Sequence, residues 1–158
     1  MCIRDSGKSV VGVLVAQRAG APFHDLDFVI ENEARMSIND IFATKGEAAF
    51  RAMESRLLPD LLQPGAVVAL GAGAPIDEAN WKVIVERSTT VFIDCGFDTI
   101  WNRIKDTSTR PLLASKSRKE LEALLTERRP RYMQAIYRVD GDRPEDVVAE
   151  DILKLWSD

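Results

Sequence analysis

The chain has 158 residues, 46% hydrophobic and 29% charged, which is the composition of an ordinary globular domain. A net charge of −4 argues against duplex nucleic acid as a ligand, and two widely separated cysteines argue against a disulfide framework or a zinc cage. No apolar run reaches the roughly 18 residues that a membrane-spanning helix needs. We therefore expect a single cytoplasmic domain over residues 1–158, with no nucleic-acid or membrane partner.

Short β-rich segments alternate with longer helical patterns along the chain. Apolar runs predict buried strands at 67–70 and 90–93, and weaker strand signals stand at 23–25 and 137–139. The helical spacing of apolar residues predicts helices over 37–44, 47–62, 78–86, 98–105, 119–135 and 145–156. This alternation predicts an α/β fold with a parallel sheet covered by helices on both faces.

The tripeptide Gly7-Lys8-Ser9 matches the second half of a phosphate-binding loop. In such a loop, backbone N–H groups at a helix N-terminus surround phosphate oxygens, the lysine reaches the β- and γ-phosphates, and the hydroxyl binds magnesium. The full loop has a glycine five residues earlier, where this chain has Cys2, and a hydrophobic strand before that glycine. A motif of only three residues often occurs by chance, so a phosphate-binding loop is indicated only if other motifs in the chain agree with it.

The segment from 103 to 131 is a basic stretch in an acidic chain, with nine Lys and Arg against four Asp and Glu. A local excess of this size indicates a small anionic ligand, although a solvated helix face would have the same composition. Within it, residues 107–119 interrupt the helical periodicity and contain Arg110. They predict a mobile lid over the site, or otherwise a surface loop without a function.

Several separated patterns together resemble the shikimate kinase family. They are Gly7-Lys8-Ser9 and residues 23–27, 30–31, 37–42, 46–51, 54, 70–74, 110–113 and 127–132. The resemblance runs from Gly7 to about the C-terminus. It implies a three-layer α/β/α P-loop kinase fold with a five-stranded parallel sheet, in which ATP phosphorylates the 3-hydroxyl of shikimate on the pathway to chorismate and the aromatic amino acids. It also implies Mg²⁺ as cofactor and a monomer.

The resemblance implies a role for each matching residue. Phosphoryl transfer depends on alignment and charge neutralisation more than on covalent help from the protein. Lys8, Arg110 on the lid and Asp27 fill the catalytic roles, and Asp27 also hydrogen-bonds the substrate hydroxyls and can take the proton of the nucleophile. Arg51 and Arg128 match two arginines that bind the shikimate carboxylate through paired hydrogen bonds.

The remaining matches concern the backbone of the substrate site, the nucleotide and the metal. Substrate binding extends to Gly71, Ala72 and Gly73, which follow a predicted strand. The residues matched to ATP binding are Gly7, Lys8, Ser9, Arg110 and Arg143. The residues matched to magnesium binding are Ser9, which binds the ion directly, and Asp25, which binds it through water.

Three positions depart from the family pattern. Ala72 replaces the middle of three glycines, which costs on the order of 1 kcal/mol if that position needs a positive φ. The pair Ala34-Arg35 replaces Thr-Gly, so we expect an altered turn at the end of a helix. Arg131 stands where an apolar residue is common and adds to the local positive field.

Residues 1–6 supply neither a strand nor the glycine-rich half of the phosphate loop, and they read as foreign sequence joined to a truncated gene. A sheet without its central strand leaves the neighbouring strands with unpaired backbone groups. We therefore expect the chain as written to be poorly active or unstable beside its natural parent. Two alternative functions stay open: another small-metabolite P-loop kinase, of the gluconate or nucleotide type, and a kinase-like domain that binds without turnover.

Overall fold

The computed structural model describes residues 7–105 and 117–156. Its helices are α1 (Lys8–Ala19), α2 (Leu26–Ala34), α3 (Ile38–Leu61), α4 (Glu78–Arg87), α5 (Phe97–Lys105), α6 (Arg118–Tyr132) and α7 (Glu145–Trp156). The strands are β1 (Phe23–Asp25), β2 (Val67–Ala69), β3 (Val91–Asp94) and β4 (Tyr137–Asp140). The four predicted strands and the α/β class are confirmed. None of the helices in these two ranges is long and apolar enough to cross a membrane.

The strands form two separate parallel pairs. β1 pairs with β2, with Phe23 opposite Val67, and β3 pairs with β4, with Val91 opposite Tyr137. Within residues 7–105 and 117–156 no strand joins β2 to β3. Among the described residues the sheet is therefore divided between β2 and β3.

Each strand pair has its own hydrophobic core. One core surrounds β3 and β4 and includes Val11, Leu121 and Val148 from three helices. The other core lies around α2, α3 and α4 and includes Leu26 and Leu58. Helix α1 contacts both halves, because it packs against α7 on one side and against β1 and β2 on the other.

Helix α3 contains a kink that separates two predicted helices. Gly46 has φ 84° and ψ 169°, a conformation that glycine reaches without a steric penalty. The amino-terminal part is capped by Ser37, whose Oγ accepts a hydrogen bond from the N–H of Asp40 at 3.1 Å. The carboxyl-terminal part, which carries Arg51 and Glu54, takes its own direction into the centre of the fold.

The turn after α2 keeps a left-handed residue although the glycine of the family pattern is absent. Arg35 has φ 52° and ψ 35°, and its N–H donates to Asn32 O at 3.3 Å. The expected altered turn is therefore wrong, because arginine here adopts the conformation that glycine favours. An L-residue in this region is strained by about 1 kcal/mol.

Replacing Arg35 by glycine is expected to raise the free energy of unfolding by about 1 kcal/mol, because the left-handed cap then fits its residue. Chemical denaturation at neutral pH measures this change. Arg35→Ala is the matched control, since it removes the same side chain and keeps the strain. Equal effects of the glycine and alanine variants would contradict the explanation.

Candidate active site

The amino terminus of α1 lies at the carboxyl end of β1. Gly7 precedes the helix with φ 82° and ψ 8°, and Lys8, the first helical residue, is only 3% exposed. A Cβ on Gly7 would lie at an ordinary contact distance, 3.4 Å, from Cγ of Glu145, so it is the positive φ that favours glycine here. The N–H groups of a first helical turn and the positive end of the helix dipole make this position suited to an anion.

Ser9 and Asp25 form a pair of oxygen donors beside this helix terminus. Ser9 Oγ donates to Asp25 Oδ2 at 2.6 Å, and Asp25 Oδ1 accepts from the N–H of Asp27 at 3.0 Å as the cap of α2. Mg²⁺ prefers hard oxygen ligands and is commonly held by one or two protein groups together with water and phosphate. In the ranges that the structure describes, no group of three or more His, Cys, Asp or Glu could enclose a metal. The pair fits a magnesium ion that arrives with a nucleotide.

A second cluster surrounds the loop that follows β2. A Cβ on Gly71 would lie 2.8 Å from Asp27 Oδ1 and 3.3 Å from Glu54 Oε1, and a Cβ on Gly73 would overlap the Arg51 guanidinium. The two glycines therefore let the loop backbone approach three charged side chains. The fold thus brings Asp27, Arg51 and the loop at 71–73 together, as the resemblance implied.

Glu54 orients Arg51 from a buried position. Arg51 Nη1 donates to Glu54 Oε2 at 2.9 Å, while its Nη2 lies 3.4 Å from Oε1 of the exposed Glu47. Glu54 is 1% exposed, and its Oε1 has no hydrogen-bond partner in the part of the chain that the structure describes. Burial raises the pKa of Glu54, Arg51 and Arg128 lower it, and Asp27 raises it. Arg128 is therefore close enough to act electrostatically on the same carboxyl group.

Neighbouring carboxylates keep the Arg51 guanidinium in its charged form. Burial lowers the pKa of Arg51, but Glu54 and Glu47 outweigh this effect and raise the pKa above its ordinary value. The guanidinium also lies over the Phe50 ring, with 5.2 Å between Cζ and the ring centroid. A guanidinium held on two sides in this way is preorganised for a planar anion.

The backbone at Ala72 is fixed by Tyr132. The Tyr132 hydroxyl donates to Ala72 O at 2.6 Å, and its ring packs against Phe92 at 5.6 Å between centroids. Arg35 is the only non-glycine residue with a positive φ among those that the structure describes. The strain that a positive φ would impose on Ala72 is therefore absent, and the conditional penalty does not apply.

The end of β3 anchors α6, the helix that carries Arg128 and Tyr132. Asp94 is 8% exposed and receives two hydrogen bonds of 2.6 Å from the guanidinium of Arg129. Arg138 on β4 also reaches Asp94 Oδ2 at 2.6 Å. This ion-pair network, in which two exposed arginines meet the buried Asp94, was not predicted, although an arginine beside Arg128 and an aspartate at a strand end were visible in the sequence.

The other predicted residues lie apart from these two clusters. Arg143 Nη1 binds Asp151 Oδ2 at 2.6 Å, close in sequence to Glu145, which packs on Gly7. Arg131 pairs with Glu78 and lies over the Trp81 ring, so its charge is used in packing.

Arg110 and most of the predicted lid, residues 107–119, lie outside the described residues. Ser117 and Glu120 form a capping box at the start of α6, which begins at Arg118 within the predicted lid. The predicted lid boundary thus overlaps a helix at its carboxyl end.

The family model for shikimate kinase matches residues 4–156. The chain belongs to the shikimate kinase family. This membership makes it an ATP-dependent kinase and confirms the resemblance to the family. The alternatives of another small-metabolite kinase and of a non-catalytic domain are not favoured.

Relatives and solved structures of shikimate kinases agree over nearly the whole chain. The shikimate kinase of Rhizobium meliloti (strain 1021) is 39% identical over 156 residues, covering 97% of this chain and 81% of the relative. That of Aquifex aeolicus (strain VF5) is 40% identical over 152 residues, covering 95% and 90%. The crystal structure of the Aquifex aeolicus shikimate kinase superposes with a TM-score of 0.88 at 36% identity, covering 99% and 94%. The shikimate kinase from Acinetobacter baumannii in complex with shikimate gives 0.92 at 29% identity, covering 98% and 89%. These matches confirm the P-loop kinase fold.

Proposed function

We propose that this shikimate kinase family member transfers the γ-phosphoryl group of ATP to the 3-hydroxyl of shikimate, with Mg²⁺ as cofactor. The observation that carries this proposal is the adjacency of the two clusters. The phosphate end of the site is the amino terminus of α1 with Ser9 and Asp25, and Asp27 belongs to the cluster around Gly71. The N–H of Asp27 donates a hydrogen bond to the Asp25 carboxylate. A nucleotide and an anionic acceptor bound at the two clusters meet between these two residues.

The phosphate end binds the nucleotide. The N–H groups of the first turn of α1 surround the phosphates, and Lys8 extends toward the β- and γ-oxygens. Ser9, and Asp25 through water, would hold a Mg²⁺ ion, which would supply charge neutralisation at the phosphates. By the family resemblance, Arg110 would supply a second cation to the transferred group and Arg143 would contact the adenine.

The second cluster binds shikimate. Arg51 and Arg128 hold the carboxylate by paired hydrogen bonds, a contact between planar groups that fixes the orientation of the ring. Backbone N–H groups of residues 71–73 contact the substrate, and Asp27 accepts a hydrogen bond from the reacting hydroxyl. In the transfer step an O–P bond forms at the 3-oxygen, the bond between the γ-phosphorus and the ADP oxygen breaks, and the hydroxyl proton passes to Asp27.

Shikimate-dependent release of ADP tests this proposal. The assay uses this chain and a second version in which residues 1–6 are replaced by a strand and a complete glycine-rich loop. Shikimate methyl ester is the matched control acceptor, because it keeps the hydroxyls and loses the carboxylate charge. We expect the ester to lower kcat/KM by about 100-fold, or about 2.8 kcal/mol, which matches the loss of one or two charge-assisted hydrogen bonds, because the ester oxygens still accept neutral ones. Preferential phosphorylation of gluconate or a nucleoside monophosphate would contradict the proposal.

We further propose that the protein acts as a cytoplasmic monomer, and that its product continues toward chorismate and the aromatic amino acids. The substrate and cofactor assigned above are small and freely diffusing, which is consistent with this setting.

A further inference from the structure

The last turn of α6 is held by side-chain contacts to three other elements. These contacts join Arg129 to Asp94 at the end of β3, Arg131 to Glu78 of α4, and Tyr132 to the carbonyl of Ala72 after β2. Pro130 lies in the same turn and has no N–H, so it cannot donate the helical hydrogen bond to the carbonyl of Thr126. The position of this turn therefore depends on the side-chain contacts as well as on the helix backbone.

The contact between Arg129 and Asp94 fixes an orientation as well as a distance. Arg129 Nη1 donates to Asp94 Oδ1 and Nη2 donates to Oδ2, each at 2.6 Å, so two planar groups meet through two hydrogen bonds. The guanidinium also lies over the Phe92 ring, with 5.9 Å between Cζ and the ring centroid. Because the Arg129 side chain is exposed, we expect this pair to add little stability, and its main effect is geometric.

Asp94 is a rigid anchor for this contact. It is the last residue of β3, it lies opposite Asp140 of β4, and its carbonyl accepts a hydrogen bond from the N–H of Gly141 at 2.8 Å. Its side chain is buried in a closely packed part of the fold, which leaves it few alternative positions. A change in the pairing with Arg129 therefore moves α6 rather than β3.

The same turn of α6 carries a predicted ligand of the substrate carboxylate. Arg128 precedes Arg129, and successive residues of an α-helix are rotated by about 100° from each other, so the two side chains leave the helix in different directions. Arg128 is half-buried and lowers the pKa of Glu54, the carboxyl group that orients Arg51. Arg128 and Arg51 thus act on one region of the site, and a rotation of the turn would change the distance between them.

Tyr132 extends this link to the loop at 71–73. It lies four residues after Arg128, about one helical turn, so both residues are on the same side of α6. Its hydroxyl donates to Ala72 O at 2.6 Å, and its ring packs on Phe92 of β3. Arg128 and the backbone at 71–73 therefore share one support, which is the carboxyl-terminal part of β3.

Arg138 contacts the same carboxylate without involving α6. Its Nη2 reaches Asp94 Oδ2 at 2.6 Å, and its side chain is exposed like that of Arg129. Arg138 belongs to β4, so this contact joins two neighbouring strands. Loss of Arg138 would remove the same charge from Asp94 as loss of Arg129, but it would leave the helix attached.

We propose that Asp94 and Arg129 are positioning residues for the substrate carboxylate. Their paired hydrogen bonds fix the last turn of α6, so that Arg128 meets the carboxylate at the same time as Arg51. Neither Asp94 nor Arg129 touches the substrate in this arrangement. The inference rests on the proposed function, because it needs a carboxylate between Arg51 and Arg128, and it adds two residues that lie outside the predicted site.

The equilibrium binding of shikimate and of shikimate methyl ester to the full chain, measured by calorimetry, tests this proposal. In Arg129→Gln, Asp94 keeps Arg138 as a partner, so no buried charge is left unpaired. We expect this variant to bind shikimate about tenfold more weakly and the ester with nearly unchanged affinity, because only the contact to the carboxylate is misaligned. Arg138→Gln is the matched control, and it is expected to keep the parent's preference for shikimate.

A conservative variant and a kinetic measurement separate positioning from stability. Arg129→Lys keeps the charge beside Asp94 but not the paired hydrogen bonds, so we expect a loss of shikimate affinity of about threefold, between the parent and Arg129→Gln. In steady-state kinetics of the version with a complete phosphate loop, Arg129→Gln is expected to raise KM for shikimate about tenfold. Both kcat and KM for ATP are expected to change much less.

Two results would overturn the inference: an unchanged preference for shikimate over the ester in Arg129→Gln, or an equal loss of that preference in Arg138→Gln. If Arg129→Gln does not fold, Arg129→Lys decides by the same comparison. A parent chain that shows no preference for shikimate would overturn the proposed function together with the inference. Binding to the parent thus distinguishes the failure of the proposed function from the failure of the inference alone.

Discussion

Replacing Asp27 by asparagine is expected to lower kcat for shikimate by about 10²–10⁴-fold, the usual contribution of a positioned general base. Asparagine has nearly the same shape as aspartate and still forms hydrogen bonds, but it cannot take the proton of the hydroxyl. Asp27 is 8% exposed and lies against the backbone at Gly71, so its carboxylate is held in place before substrate arrives. We therefore expect KM for shikimate to change much less than kcat.

Steady-state kinetics of ADP release on the version with a complete phosphate loop measures this effect. Asp40→Asn is the control, because Asp40 lies in the first turn of α3 and pairs with Ser37 away from both clusters. It is expected to leave kcat unchanged. A kcat within threefold of the parent for Asp27→Asn would remove Asp27 from the proton-transfer role and leave it a binding role only.

Glu54→Gln is expected to lower kcat/KM by about 10–100-fold, mainly through a higher KM for shikimate, because Arg51 loses the charged partner that orients it. Glu54 does not contact the reacting atoms in the proposed arrangement, so it is a positioning residue. Glu47→Gln is the matched control. It removes the other partner of the same guanidinium, but that partner is exposed and lies at 3.4 Å, so a change below threefold is expected.

The pH dependence of stability gives a second readout for Glu54. Burial raises its pKa above the ordinary value of 4.5, so the folded state binds a proton more readily than the unfolded state. This contribution to the free energy of unfolding is fully present below pH 4.5 and is lost as the pH rises through the raised pKa. Glutamine does not titrate. Thermal melts of Glu54→Gln should therefore lack this decline, whereas parallel curves for the variant and the parent would show that Glu54 has no raised pKa.

Local patterns predicted the strands and most helices well. Apolar runs at 67–70 and 90–93 lie within two residues of β2 and β3, and capping by Ser37 marks the start of α3. Two helices were not predicted from periodicity. In α1 the apolar residues are nearly continuous from Val10 to Ala16, so no single face stands out, and α2 follows β1 without a loop.

The candidate site was predicted in its residues but only partly in its contacts. The motif resemblance selected Asp27, Arg51 and the loop at 71–73, and the fold brings these together. The roles of Glu54 and Tyr132 emerged only from the structure, because a buried acid and a hydroxyl bonded to a distant carbonyl depend on which helices pack over the loop. The spacing of Arg51 and Glu54, three residues apart on one helix, was the available signal.

The packing of α1 against α7 has a consequence for how the chain acquires its final form. Val11 and Val148 share one hydrophobic core, and Glu145 packs on Gly7, although these pairs are separated by most of the sequence. The surroundings of α1 are therefore complete only when α7 has packed against it. Contacts of such long sequence separation slow folding, because closing the long intervening loop costs conformational entropy before the contacts form. The nucleotide end of the site is thus complete only when two segments far apart in the sequence have come together.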